Sequence, residues 1–340
     1  MPPPERVSSA FPGCEACVSK PVLVGDVGGT KVRLGLATSS LGHISLDDVR
    51  VYSDPSIPSL SDAVDLYLKE TDERPSSALF ALAGPISEDG SIRLTNRDWP
   101  QVVPEEIRSR FGMRSTRIVN DFAAMARAIP EIPKSDFETV IESRNAPDGP
   151  ILVTGPGTGM GVSTLLRSVT GGWRVMTGEG GHASFAPHNA REAAIRDIIG
   201  RGHPHVSVEM IVSGRWLMPV YRAICELEGT APEDLSPQDM LDRADEGEAI
   251  CLEVCTFRAN ALMGAVGDAA LITGANAGVV LTGGVAERMV KWVRQPDAIK
   301  RFHERGPMSP FLAHTPVSVL MHDEAPLIGA AALAIDIDNV

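Results

Sequence analysis

The 340 residues carry a formal net charge of -13, with 43% hydrophobic and 22% charged side chains, the balance of an ordinary globular protein of about two domains. An acidic surface repels a phosphate backbone and no dense Lys/Arg tract offsets it, which excludes nucleic acid as a partner. Apolar runs such as 279–285 and 328–335 fall well short of the ~20 residues a membrane helix needs.

The first 19 residues hold three early prolines and no apolar core, so they read as a leader and not as a secretory signal; the expected setting is cytoplasmic. Five cysteines in a reducing compartment are expected as thiols, because neither the Cys14/Cys17 nor the Cys251/Cys255 pair has an accompanying His for zinc. At 21–40 an apolar strand runs into GDVGGT, and Val32, Leu34 and Leu36 then alternate, predicting strand, glycine turn, strand. Residues 77–86 and 117–120 read as further strands. After Asp121 the residues Phe122, Met125, Ala126 and Ile129 follow helical spacing, which puts Asp121 at a helix start. Prolines 130, 133, 147 and 150 suggest a crossing between lobes.

The pattern then repeats. Residues 151–154 lead into GPGTGMG, a second strand and, after Gly171 and Gly172, a third. Helical periodicity follows over 191–199, 206–225 and 246–270. AGVVLTGGVAERMV reads as strand, Gly-Gly turn and helix, and PLIGAAALAI as a small-residue helix packed closely on a neighbour.

Glycine-rich turns bind phosphate because bare backbone N–H groups approach the oxygens with no Cβ in the way. A Walker or dinucleotide loop would open a helix, whereas both turns here join strands, so a pair of β-hairpin phosphate clamps is the better assignment. Asp26 in the first is placed to hold Mg2+ through water. Read alone, Asp121 is a helix cap; beside a hydroxyl acceptor and a phosphoryl donor it is a base. GEGGHASFAP sets Glu179 and His182 on one tight turn, suited to sugar hydroxyls that both donate and accept.

The paired hairpins resemble the actin/hexokinase/Hsp70 superfamily. The motifs GDVGGT, AGPI, LTNRDW, IVNDF, GPGTGMGV, GEGGHASFAP, VSVEMIVSG, LTGGV and PLIGAAA, spread over about 20–335, resemble the bacterial glucokinase family in content and order. That resemblance implies an α/β, two-lobed actin-like ATPase (ribonuclease H-like) fold around a cleft. The small domain would span 20–122 with a C-terminal helix at about 326–340, and the large domain 123–325. It implies ATP:D-glucose 6-phosphotransferase activity with ATP and Mg2+, the first step of glycolysis, in a homodimer. Asn120, Asp121, Glu179, His182 and Glu209 would bind the sugar, with Asp121 as base; spacing alone leaves Glu209 as one more exposed helix charge. Asp26, Gly28, Gly29, Thr30, Gly157, Thr158 and Gly159 would face the phosphates, and Gly283 and Gly284 the adenosine. Lys31, Ser184 and the SGRWL segment depart from the family pattern, and the zinc signature of the repressor/ORF/kinase relatives is absent. A kinase for another hexose or phosphoryl donor, and a non-catalytic sugar sensor, are the alternatives.

Overall fold

In the computed structural model the described residues are 20–29, 31–40, 43–53, 56–94, 97–169 and 171–338; Thr30 and the Cys14/Cys17 pair lie outside them. The chain divides into two compact units, residues 1–119 with 330–340, and residues 120–329.

The first unit is built on a five-stranded sheet in the order β3-β2-β1-β4-β5. Its strands are β1 (Val22–Val27), β2 (Val32–Ser40), β3 (His43–Tyr52), β4 (Ser77–Leu82) and β5 (Ser115–Asn120), with α1 (Leu60–Thr71) and α2 (Pro104–Arg110) between them. The predicted hairpin is present: β1 and β2 pair antiparallel from Val22↔Ala37 to Val27↔Val32, and β4 lies parallel to β1. One face buries Leu23, Val27, Leu34, Phe80 and Leu82 against Val64 and Tyr67 of α1. Each such side chain removed from water contributes about 1.5–3 kcal/mol. Helix α1 starts where Ser59 accepts the N–H of Asp62 and ends at Asp72, which adopts a left-handed conformation with φ 55°.

The second unit repeats the opening around a six-stranded sheet in the order β6-β11-β10-β7-β8-β9. Helix α3 (Asp121–Ala128) comes first, then β6 (Phe137–Ile141), β7 (Ile151–Pro156), β8 (Met160–Arg167) and β9 (Trp173–Gly178). Helices α4 (Ala190–Ile199), α5 (Glu209–Val212), α6 (Leu217–Glu228), α7 (Pro237–Asp245) and α8 (Ala249–Thr273) follow. The chain closes with β10 (Gly278–Leu281), α9 (Gly284–Arg288), α10 (Val290–Val293), α11 (Pro296–His303), α12 (Ser309–Leu312), β11 (Val317–Leu320) and α13 (Ala325–Asp338). Strand alternation sorts the sheet's faces. Leu152, Val279, Leu281, Val317 and Val319 point into the α4–α12 layer. Val153, Val280 and Leu320 point to Ala126 of α3 and Ala325 of α13.

Two expectations are revised. The proline-bearing stretch is no crossing between units, because Phe137–Ile141 pairs antiparallel with β11 inside the second unit. The helix expected over 206–225 breaks at Ser213 and Gly214, where Ser213 is extended and the N–H of Gly214 turns to the carbonyl of Gly157 at 2.8 Å. The run 246–270 forms the helix expected of it, α8. Helix α8 is also long and apolar enough to cross a membrane by length and composition. Here its apolar residues are core: Val254, Leu262, Met263 and Val266 are buried against neighbouring helices. Its thiols are sheltered too, burial pushing Cys251 to about 12 and Cys255 to about 11. The close packing predicted for PLIGAAALAI is present, since a Cβ at Gly329 would lie 1.7 Å from the carbonyl oxygen of Ala124.

Candidate active site

The second glycine hairpin is the hub of the second unit. Strands β7 and β8 pair up to Pro156↔Met160, and the N–H of Gly157 donates to the carbonyl of Gly159 at 2.8 Å, leaving Gly157, Thr158 and Gly159 as the turn. Three segments distant in sequence are fastened to the first three residues of β8.

The first is α3. Asn120 is its N-cap, Oδ1 accepting the N–H groups of Phe122 (2.9 Å) and Ala123 (3.3 Å). The capping expected of Asp121 therefore belongs chiefly to Asn120, and Asp121 is the first helical residue, its Oδ1 accepting from Phe122 N at 2.9 Å. Phe122 then seats its ring where a Cβ at Gly161 would stand, 2.0 Å away. Only a residue without a side chain at 161 lets the helix start, with Asn120 and Asp121, come this close to the hairpin.

The second is the turn bearing Glu179 and His182. A short 3₁₀ turn spans Gly180–His182, with the N–H of His182 donating to Glu179 O at 3.0 Å. Gly181 lies on Met160, where a Cβ would meet the Met160 carbonyl oxygen at 2.2 Å, and Gly180 lies on Val162. Met160 and Val162 alternate with Gly161, so α3 and this turn reach the hairpin from opposite faces of β8. Glu179 and His182 are both exposed, and the ring Nε2 of His205 lies 2.9 Å from the carbonyl of His182.

Glu209 is the third. The N–H of Val208 donates to Ala183 O, and Phe185 N to Val206 O, both at 2.9 Å, so the strand-like segment 206–208 is zipped to the residues after His182. Glu209 follows at the first position of α5, and its Oε2 accepts the N–H of Met160 at 2.8 Å beside Gly159. Sequence spacing had no means of showing this, because the partner lies 49 residues upstream. Ser184 pairs by an isolated bridge with Ser207, as part of the same zipper.

Around the third glycine turn, Gly283 has φ 97° and precedes α9, and the N–H of Thr282 donates to Thr154 O at 3.0 Å. Gly214, bonded to Gly157, also lies against Val285. The segments holding Gly157–Gly159 and Gly283–Gly284 are thus neighbours. Arg258 of α8 secures the approach to Gly214: fully buried, it donates to the carbonyls of Ile211 (3.1 Å), Val212 (2.6 Å) and Ser213 (2.8 Å). Burial lowers its guanidinium to about 10.

The first hairpin lies in the other unit. Its turn closes with Gly28 N donating to Lys31 O at 2.9 Å, and Lys31 is exposed. Asp26 is buried and accepts from Arg33 Nη1 at 2.7 Å. Burial raises its carboxyl above the ordinary range, and Arg33 opposes this. Among the described residues no group of three or more His, Cys, Asp or Glu is placed to cage a metal. One hard carboxylate with an oxygen to spare suits an ion that arrives on phosphates and keeps its waters. Sequence reasoning passed over Arg97, within LTNRDW. Its Nε donates to Gly29 O at 3.3 Å, its guanidinium lies 4.4 Å over the Trp99 ring, and Nη1 is buried with no partner. The Arg beside a Trp in a polar motif was the available signal.

A family model described as Glucokinase matches residues 23–337. The chain is 37% identical over 314 residues to a glucokinase of Chromobacterium violaceum, covering 92% of this chain and 88% of that one. The crystal structure of a glucokinase from an Antarctic psychrotroph superposes with a TM-score of 0.83 at 31% identity, covering 94% of this chain and 99% of the other. The fold is shared with a glucokinase from Balamuthia mandrillaris solved in complex with glucose, at TM-score 0.77 and 22% identity over 93% of this chain and 94% of that one. The chain belongs to the glucokinase family.

Proposed function

We propose that this protein phosphorylates glucose on O6 with MgATP, giving glucose 6-phosphate and ADP. The observation that carries it is the sharing of one strand end. The phosphate-type turn Gly157–Gly159, the Asn120–Asp121 helix start, the Glu179/His182 turn and Glu209 are all fixed to Met160–Val162. Groups able to donate to and accept from a polyol are thereby built onto the loop that would hold the donor.

In this proposal Asn120, Asp121, Glu179, His182 and Glu209 hold the sugar hydroxyls, which fixes the attacking oxygen; positioning supplies most of the rate in phosphoryl transfer. The O6–P bond forms as the bond from phosphorus to the bridging oxygen of ATP breaks, ADP leaves, and Asp121 takes the hydroxyl proton. The turns around Gly28–Gly29, with Thr30, and Gly157–Gly159 offer backbone N–H groups to the phosphates, and Gly283–Gly284 lie along the adenosine. Mg2+ would neutralise phosphate charge, with Asp26 as its one carboxylate, held through water. A cytoplasmic homodimer is part of the same proposal.

A coupled assay over glucose, mannose, fructose and galactose, with ATP as donor, tests it. Glucose is expected to give the highest kcat/KM, and a rate with glucose below a tenth of the best sugar overturns the assignment.

A further inference from the structure

Two contiguous hollows adjoin the hairpin turn in the second unit. The open one, about 480 Å³, is lined by Gly157, Thr158, Gly214, Val285 and two arginines, Arg215 and Arg288. The smaller, about 100 Å³, shares Gly214, Val285 and Arg288 with it and continues past Leu217, Met240 and Met289. Arg288 stands at the junction, one helical turn beyond Gly284 on α9, and Arg215 follows the Gly214 that is bonded to Gly157.

The two arginines differ from most of the charged residues here. Both are exposed, and among the described residues neither makes a hydrogen bond or an ion pair. Several arginines elsewhere in this acidic chain sit on carboxylates: Arg191 on Glu253, Arg243 on Glu233, Arg294 on Glu138. Two uncommitted guanidinium groups beside a glycine turn are matched to phosphate oxygens, which such planar forks bind in pairs of hydrogen bonds.

The smaller recess offers little to read a base. Its one uncommitted polar side chain is Arg288, which stands at the mouth it shares with the open hollow; its other walls are mainly apolar, Arg258 is spent on three backbone carbonyls, Cys255 is a buried thiol, and the N–H of Gly214 is committed to Gly157. An apolar pocket separates ligands that differ in one polar group by only ~10²-fold at most.

We propose that Arg215 and Arg288 hold the donor by its phosphates while the recess takes the base without reading its identity, so that guanosine and inosine triphosphates serve as donors alongside ATP. The transfer is unchanged: the O6–P bond forms, the bond to the bridging oxygen breaks, the nucleoside diphosphate leaves and Asp121 takes the proton. The proposal depends on the donor being a nucleoside triphosphate, as proposed above.

The test is steady-state kinetics at saturating glucose with ATP, GTP and ITP, for the unaltered protein, Arg215→Ala, Arg288→Ala and the double variant. The glucose KM and the thermal midpoint of each variant serve as controls on the fold. For the unaltered protein, kcat/KM with GTP and ITP is expected within about a hundredfold of ATP. The double variant is expected to raise KM for all three donors in parallel, by tenfold or more, with the glucose KM unmoved, and Arg215→Lys/Arg288→Lys to recover part of the loss. A preference for ATP beyond about a hundredfold over both other donors, a rise below tenfold, or a rise confined to ATP overturns the proposal. If the unaltered protein takes phosphoryl groups from none of the three, the kinase assignment itself falls, and this with it.

Discussion

The two glycine hairpins share one sequence grammar and differ in what holds them. At the first, the acid beside the turn, Asp26, is met by an arginine seven residues away, and among the described residues the distant brace is Arg97 on Gly29. At the second, Thr154 Oγ1 donates to Gly161 O at 2.8 Å from seven residues away, but most of the partners are distant in sequence. Glu209 takes the N–H of Met160, Gly214 takes the carbonyl of Gly157, Phe122 fills the space over Gly161, and Gly181 rests on Met160. The first is a loop with a support, and the second is a junction. A change at the first should therefore affect one ligand. A change at the second should affect the sugar side and the donor side together.

The largest expected effect is at the junction. Asp121→Ala should cut kcat by about 10³-fold, within the 10²–10⁴ range of general bases, while ATP still binds by calorimetry. Turnover near that of the unaltered protein would remove Asp121 from the role of base.

Gly161→Ala should be next. A methyl 2.0 Å from the Phe122 ring must push α3 off β8. Overpacking of this kind costs about 1–3 kcal/mol of stability. The comparison of hairpins adds that kcat and both KM values should move together; a loss of stability with unchanged kinetics would show that α3 and the hairpin are not coupled in function.

Arg97→Ala probes the supported loop. One hydrogen bond and one cation–π contact are lost, together about 1–2 kcal/mol, expected as a roughly tenfold rise in the KM for ATP with the glucose KM unchanged. A shift in the glucose KM of equal size would erase the distinction between the two hairpins.

The smallest effect calibrates the others. Glu192 of α4 touches neither hairpin; it accepts from His188 N at 2.6 Å and faces Arg301 at 3.4 Å. Burial pushes its carboxyl from 4.5 to about 7. A group raised in the folded state binds its proton there over pH 4.5–7 when the unfolded chain does not, so its contribution is whole below pH 4.5 and is lost as pH rises through about 7. Glu192→Gln should flatten the fall in unfolding free energy across that window by about 2 kcal/mol, Arg301 offsetting part of the cost of the charge. Denaturant titrations at pH 4.5 and 7.5 measure it, with kinetics at pH 7.5 unchanged.

Alternation of Val32, Leu34 and Leu36, glycine turns, and helical spacing after Asp121 are local signals, and both hairpins and α3 lie where these put them. The signal was weaker wherever a tertiary partner competes with local preference. Residues 206–225 have helical spacing throughout, but Gly214 bonds Gly157 instead of continuing the helix, and Arg258 takes the carbonyls freed by the break. The capping role went to Asn120 because its Oδ1 reaches two N–H groups of the first turn, a geometry that the dipeptide Asn-Asp leaves undecided.

By itself the sequence determined the elements that repeat at short range and the glycine turns, since periodicity and turn chemistry act over a few residues. Only the tertiary structure decided that Glu209 belongs to the hairpin, that Arg97 braces Gly29 and that Arg215 and Arg288 stand uncommitted beside Gly157. Those are questions of which side chain fills space or satisfies a polar group left by a segment tens of residues away. No local rule answers them, because the free energy of such a contact exists only once both segments have been brought together.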